Sequence, residues 1–192
     1  MGRSDKDINA LIRGAQAGLA DSFDGLIDLY ANRLYGYFYR SSGSATLAED
    51  QVQDVFLRLI RAIKRYDHRE QFEAFLFRIA GNLNRDRIRK SRRSKERSFA
   101  FEEDELPGLT TADAHIPEPL AALERAEHID AMQAAMARLP AAEREVIVLR
   151  HFSELSFGEI ASIMDTPLGT ALARAHRGLK KLRLMLEDLA SD

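Results

Sequence analysis

Apolar side chains recur every three or four residues through most of this 192-residue chain, which is the spacing of helices with one buried face. Runs of β-branched residues are scarce, whereas Ala, Leu, Arg and Glu, which favour helices, are common. The pattern therefore predicts an all-α protein.

Aromatic content and charge divide the chain into two parts. Thirteen of the fifteen Phe and Tyr residues precede residue 102, so we expect the two parts to build different cores. Residues 98–119 hold six acids, no Lys or Arg and three of the five prolines, a composition that opposes a long helix. We predict two small helical domains, 1–97 and 120–192, joined by an acidic, proline-containing linker over 98–119.

The segment "AEDQVQDVFLRLIRAIKRY", which begins at Ala48, predicts a helix with two contrasting faces. The stripe expected to be buried consists of Val52, Val55, Phe56, Leu59, Ile60 and Ile63. The opposite face carries Asp50, Asp54, Leu57 and Arg61. A leucine among charges is either a singly exposed residue or part of a docking site for another protein's helices, and the pattern leaves both open. No histidine or third acid joins the aspartates, which favours a solvated face over a metal or acid–base site.

The next helix is predicted over "FEAFLFRIAGNLNRDRIRKSRR", which begins at Phe72. Its expected core stripe is Phe72, Phe75, Leu76, Ile79 and Leu83, with Phe77 and Ile88 off the stripe on a second, partly apolar side. A further face carries Arg78, Asn82, Arg85 and Arg89. Residues 78–97 hold nine Lys and Arg against two acids, so this face favours binding to nucleic-acid phosphates, the alternative being a solvated basic face.

The segment from Leu139 to Arg183 predicts a helix-turn-helix, whose second helix enters the DNA major groove. Ser156 and Glu159 form a capping box at the start of the first helix of the motif. Asp165 is expected to adopt a left-handed conformation in the turn, and Pro167 opens the last helix.

The last helix is predicted to bury one side and to present the other to DNA. The side expected to point inward consists of Leu168, Leu172, Ala175, Leu179 and Leu182. The other side carries Thr170, Ala173, Arg174, Arg177, Lys180 and Lys181. Residues 168–183 hold five basic and no acidic side chains, which favours a DNA-reading helix over an amphipathic helix of an ordinary bundle.

Several classes of function find no support in the sequence. The chain has no cysteine, which excludes disulfides and thiolate zinc sites. His151 and His176 lack a nucleophile, metal-ligand spacing or phosphate loop, so we predict no catalytic residue, metal or cofactor. No segment suits a signal peptide or membrane span, and we expect a cytoplasmic protein.

Three motifs in order give the chain a resemblance to a known family. "AEDQVQDVFLRLIR", "FEAFLFRIAGNLNRDRIRKSRR" and "LPAAEREVIVLRHFSELSFGEIA…PLGTALARAHRGLKKLR" resemble the conserved second and fourth regions of bacterial sigma factors of the extracytoplasmic-function (ECF) group. The resemblance implies a non-enzymatic protein that directs core RNA polymerase to promoter DNA and aids transcription initiation. The alternative is a stand-alone helix-turn-helix regulator with an N-terminal effector or interaction domain.

The resemblance also implies roles for individual residues. Contact with core polymerase is implied for Asp50, Gln53, Asp54 and Leu57. Contact with the unpaired downstream promoter strand is implied for Arg78, Asn82 and Asp86, and reading of the upstream element for Arg174, His176 and Arg177. An anti-sigma factor is a further expected partner. The sequence leaves open whether the free protein holds its two domains together.

The last helix departs from the family pattern. The family usually has "GTVKSRLHRAR" where this chain has "GTALARAHRGL", so Leu172 and Ala173 replace a basic residue and a serine. Either the helix sits rotated in its domain, or Leu172 and Leu179 are exposed for a partner.

Overall fold

The computed structural model describes residues 5–67, 71–98, 131–153 and 155–189, and over these residues it contains helices and no strand, which confirms the all-α prediction. The helices are α1 (Asp5–Gln16), α2 (Ala20–Ser42), α3 (Ala45–Ala62), α4 (Phe72–Ser98), α5 (131–138), α6 (Ala141–His151), α7 (Phe157–Ile163) and α8 (Leu168–Leu189). Apart from Ser98, the linker predicted over 98–119 lies outside the described residues. In the part of the chain that the structure describes, no helix is long and apolar enough to cross a membrane.

Helices α1 to α4 pack around an aromatic and aliphatic core. Tyr37 of α2 lies edge-on to Phe77 of α4, with 5.8 Å between the ring centroids. The turn between α3 and α4 is held by Gln16, whose Nε2 donates to the carbonyl oxygens of Ile63 (3.1 Å) and Tyr66 (3.0 Å). These contacts fix α4 against α2 and α3.

Helices α6 to α8 form the predicted helix-turn-helix, and its local features are confirmed. Ser156 and Glu159 make the reciprocal hydrogen bonds of a capping box at the start of α7. Asp165 adopts a left-handed conformation in the turn, with φ of 48°. The Thr166 amide donates to the carbonyl of Ala161 at 3.0 Å, so the turn closes tightly before α8.

Two predictions about the core stripes of the N-terminal helices were wrong. Ile60, expected in the core of α3, is 49% exposed. Phe77, expected outside the core stripe of α4, is fully buried because α2 covers that side of the helix. The periodicity of one helix predicts the direction of its buried side. The width of that side depends on which neighbouring helices pack against it.

The C-terminal helices dock against the N-terminal ones through α2 and α4. Arg33 of α2 donates from Nη2 to the carbonyl oxygen of Ser153 at 2.7 Å. The guanidinium of Arg40 lies 3.8 Å from the centre of the Phe152 ring, a cation–π contact. In the opposite direction, Arg144 of α6 donates from Nη1 to the carbonyl oxygen of Ser41 at 2.9 Å. The two halves of the described chain therefore touch directly.

Candidate functional site

The outward face of α3 carries the four residues that the resemblance connects with polymerase. Asp50, Gln53 and Asp54 are exposed, and Leu57 is 56% exposed in the same strip. Ser44 caps the helix by accepting from the Leu47 amide, which fixes the first turn before this strip begins. An exposed leucine beside carboxylates suits a partner with an apolar side chain and a basic rim.

A groove of about 430 Å³ separates α3 from the second half of α4. Asp50 and Asp54 line one wall, and Asp86 and Arg89 line the other. Arg89 Nη2 lies 3.9 Å from Asp86 Oδ1, and both side chains are exposed. The structure thus brings part of the predicted polymerase face and part of the predicted DNA face to one groove.

The remainder of the predicted DNA face of α4 points toward the helix-turn-helix. Arg85 donates from Nη1 to Oε1 of Glu145 at 3.1 Å and from Nη2 to the carbonyl oxygen of Ile163 at 2.7 Å. The same Nη2 donates to Oδ1 of Asn82 at 2.6 Å. Gly81 allows α4 to lie close to the end of α7, because a Cβ at this position would lie 3.1 Å from Cγ2 of Ile163. Arg78 lines the neighbouring cleft between α4 and α7.

Glu145 of α6, which accepts from Arg85, is a buried acid. It lies where α4, α6 and α7 meet, and this meeting point is called the junction below. The Tyr37 hydroxyl also donates to Oε1 of Glu145, at 3.3 Å. Burial raises the pKa of Glu145 above its ordinary value, and the charges of Arg85 and Arg174 and the hydrogen bonds with Tyr37 and Arg85 offset this only in part. Burial likewise raises the pKa of Tyr37 well above its ordinary value, with the charge of Glu145 adding to the effect. The junction therefore contains an ion pair that is largely removed from water.

A second buried acid of α6 serves the predicted DNA-reading helix. Glu143 Oε2 accepts from Lys181 Nζ at 2.8 Å, and its Oε1 lies 3.5 Å from Arg177 Nε. The two basic side chains remain about half exposed, whereas Glu143 is 7% exposed. Arg177 and Lys181 are thus oriented along α6, while His176 and Lys180 face solvent.

The expected inward side of α8 was wrong at three of its five positions. Leu168, Leu172 and Leu179 are 50%, 44% and 43% exposed. Ala175 and Leu182 are buried as predicted, together with Ala171 and Gly178, which the prediction did not include. Small residues face α6 because the helices approach closely: a Cβ on Gly178 would lie 2.7 Å from Cδ1 of Ile147. Thr170 and Arg174 are half-buried.

Sequence reasoning missed Glu143 and Glu145. Both lie in a segment that reads as a routine amphipathic helix, and no local pattern distinguishes a buried glutamate from a solvated one. Their ion pairs with α4 and α8 become apparent only when the structure places these two helices next to α6. Among the described residues, no group of three potential metal ligands is present.

Comparison with known proteins adds two family matches in the order of the chain. Residues 26–94 match Sigma-70 region 2, and residues 129–182 match Sigma-70 region 4. The chain is 36% identical over 187 residues to the ECF RNA polymerase sigma factor SigW of Bacillus subtilis, which covers 95% of this chain and 98% of SigW.

Two solved structures share the fold over most of their length. CnrH in complex with the cytosolic domain of CnrY aligns with a TM-score of 0.65 and 26% identity, covering 93% of this chain and 96% of CnrH. The sigma factor RpoE of Bartonella quintana, solved in complex with the anti-sigma factor NepR, aligns with a TM-score of 0.71 and 22% identity, covering 88% and 98% of the two chains. These two structures share the fold, and the matches to both regions and to SigW show that the chain belongs to the ECF sigma factors of the sigma-70 family.

Proposed function

We propose that this chain is the promoter-selecting subunit of a bacterial RNA polymerase, which brings the core enzyme to promoter DNA and helps to open it. The observation that carries the proposal is the presence of regions 2 and 4, in order, in one chain that is similar to SigW along its length. Polymerase carries out the chemistry, and this chain supplies binding and positioning in the cytoplasm, where transcription occurs. A stand-alone regulator is not favoured, because region 2 occupies the place of an effector domain.

The proposed polymerase contact is the strip of α3 formed by Asp50, Gln53, Asp54 and Leu57. The exposed leucine supplies apolar area at the centre, and the aspartates attract a basic rim and set the orientation of the partner.

The proposed role of α4 is to hold the downstream promoter element while it is unpaired, through Arg78, Asn82, Arg85, Asp86 and Arg89. Arginines bind phosphates through their planar forks, and an amide can pair with the edge of an extruded base. Arg85 contacts Glu145 and Ile163 in the docked structure. It must therefore exchange these partners for DNA, so we infer that α4 and α6 separate when the promoter is bound.

The proposed role of α8 is to bind the upstream element as a duplex, through Thr170, Arg174, His176, Arg177, Lys180 and Lys181. Its N-terminal half is the part that enters the major groove in this motif. The two similar structures were solved with a bound partner chain, in one case an anti-sigma factor. We propose that an anti-sigma factor also binds this chain.

Leu57→Asp tests the polymerase contact most directly. We expect at least a tenfold weaker affinity for core polymerase, because the change places a third carboxylate at the centre of the face and removes its apolar side chain. Affinity is measured by titrating labelled chain with core enzyme, and circular dichroism checks that helicity is unchanged.

Leu19→Asp is the matched control, because Leu19 is 58% exposed but lies between α1 and α2, away from the α3 strip. It should leave the affinity unchanged. Equal affinities for wild-type and Leu57→Asp would contradict the docking face. A wild-type chain that neither binds core polymerase nor changes where transcription starts would contradict the proposed function itself.

A further inference from the structure

The accessible face of α8 is apolar at the place where a DNA-reading helix meets base edges. Ala171 and Ala175 face the protein interior, which turns Leu172 outward to 44% exposure. His176 lies one turn further along the same exposed side, and Ala173 beside Leu172 is half-buried. The side chain of Leu172 is thus among the first that a DNA duplex would touch.

The charge around Leu172 suits DNA as its occupant. Residues 168–183 hold five basic side chains and no acid, and Lys180 extends from α8 into solvent. The first residues of α8 follow a tight turn, so the amides of Leu168 and Gly169 can approach a phosphate closely. Contacts between basic side chains and DNA phosphates position the helix in the groove, and Leu172 can then contact the edges of the bases.

A leucine can recognise one feature of the major groove. Guanine, cytosine and adenine present hydrogen-bonding groups there, whereas thymine adds an apolar C5-methyl group. A leucine placed against the hydrogen-bonding groups of a base removes their hydrogen bonds to water without replacing them, which is unfavourable. A leucine placed against the thymine methyl group removes apolar area from water, which is favourable.

We propose that Leu172 contacts the C5-methyl group of a thymine in the upstream promoter element and so determines specificity at that base pair. This inference rests on the proposed function, because it assigns a base to the helix that binds the upstream duplex. At this base pair, recognition depends on an apolar contact with the methyl group and not on hydrogen bonds to the base.

The test uses full-length chain reconstituted with core polymerase and a promoter from which this holoenzyme initiates. Each thymine of the upstream element is replaced in turn by deoxyuridine, which removes the methyl group and leaves base pairing intact. We expect one replacement to weaken holoenzyme binding by roughly fourfold, the effect of losing one buried methyl group. Leu172→Ala should weaken binding to the thymine promoter and abolish the difference between thymine and deoxyuridine at that position.

Leu179→Ala is the matched control, because Leu179 is 43% exposed on the same helix but lies about two turns further from its N-terminus. It should preserve the discrimination. The inference is overturned if no thymine of the element responds to deoxyuridine, or if Leu172→Ala keeps the full difference. Those results come from an active holoenzyme, so they leave the proposed function standing. A holoenzyme that initiates nowhere would contradict both.

Discussion

Helices α4 and α8 are both basic and both predicted to bind DNA, yet the structure treats them differently. On α4, Arg85 is held against α6 and α7 by hydrogen bonds to Glu145 and to the Ile163 carbonyl. On α8, His176 and Lys180 face solvent, and the accessible side is completed by Leu172. The density of positive charge is therefore a poor guide to which DNA surface is accessible, because Glu145 of α6 and the end of α7 engage Arg85 of α4, whereas His176 and Lys180 of α8 remain exposed.

One short helix, α6, contributes a buried glutamate to each of the two basic helices. Glu143 and Glu145 are two residues apart on α6, about 200° around the helix, so they point toward different neighbours. Glu145 pairs with α4, whereas Glu143 pairs with Arg177 and Lys181 of α8. Releasing α4 from α6 therefore need not disturb the ion pairs that orient α8.

The largest expected effect comes from breaking the contact between α4 and α6. Glu145→Ala removes the acceptor of Arg85 Nη1, on a side chain that is 24% exposed, and of the buried Tyr37 hydroxyl. Removing one partner of a largely buried pair lowers the free energy of unfolding by about 3 kcal/mol. Urea denaturation followed by circular dichroism measures the change.

Glu187→Ala is the control for this variant, since Glu187 pairs with Arg183 at 2.7 Å on the exposed part of α8. An exposed pair contributes less than about 1 kcal/mol. If the two variants shift the urea midpoint equally, the junction does not hold the helices together as described.

A smaller effect separates the proposed roles of α4 and α8. Asn82→Ala should slow promoter opening by about tenfold, because a contact with an unpaired base is worth roughly 1–3 kcal/mol, and should leave the affinity for duplex promoter unchanged. A fluorescent base in the downstream element reports the opening rate from saturated closed complexes. Leu172→Ala should give the reverse pattern. Equal opening by wild-type and Asn82→Ala would refute the capture of a base by α4.

The pH dependence of stability tests the environment of Glu145. Its pKa in the folded protein is raised above the ordinary value of 4.5, so the folded state retains a proton that the unfolded state releases. The contribution of Glu145 to stability is therefore greatest below pH 4.5 and falls as the pH rises through the raised pKa. The stability of wild-type relative to Glu145→Gln should decline over that window, as measured by urea midpoints at successive pH values. A relative stability that rises with pH would show that Arg85 outweighs burial.

The smallest effect distinguishes two neighbouring lysines of α8. Lys180 is exposed and has no ion pair among the described residues, whereas Lys181 Nζ lies 2.8 Å from Glu143. Lys180→Ala should reduce the steepness of the negative slope of log affinity against log salt by about 0.9, the value for one lost phosphate contact. Lys181→Ala should lower it less, because Glu143 already neutralises this lysine. A change of sequence preference in either variant would contradict a phosphate contact.

Local chemistry made several parts of the structure predictable. The capping box of Ser156 and Glu159, the left-handed Asp165 and the alternation of helix and turn follow from interactions within a few residues. The outward position of Leu57 follows from its place opposite the apolar stripe of α3. The polymerase and DNA roles of the site residues remain predictions, since the geometry places these residues without showing their partners.

Other parts could not be predicted because they depend on distances between helices. The leucines of α8 were assigned to the core by their periodicity, but Gly178 and Ala175 let α8 approach α6 so closely that smaller residues fill the interface. Phe77 was placed outside the core because the contact with Tyr37 of α2 is not visible in the sequence of α4.

By itself, the sequence determined the all-α class, the helix-turn-helix and the family, because these follow from periodicity, capping and motifs that are read locally or in order along the chain. Only the tertiary structure decided that α6 shares its two buried glutamates between α4 and α8, and that Leu172 faces solvent. Burial depends on which neighbours occupy the space around a side chain, and those neighbours are distant in sequence.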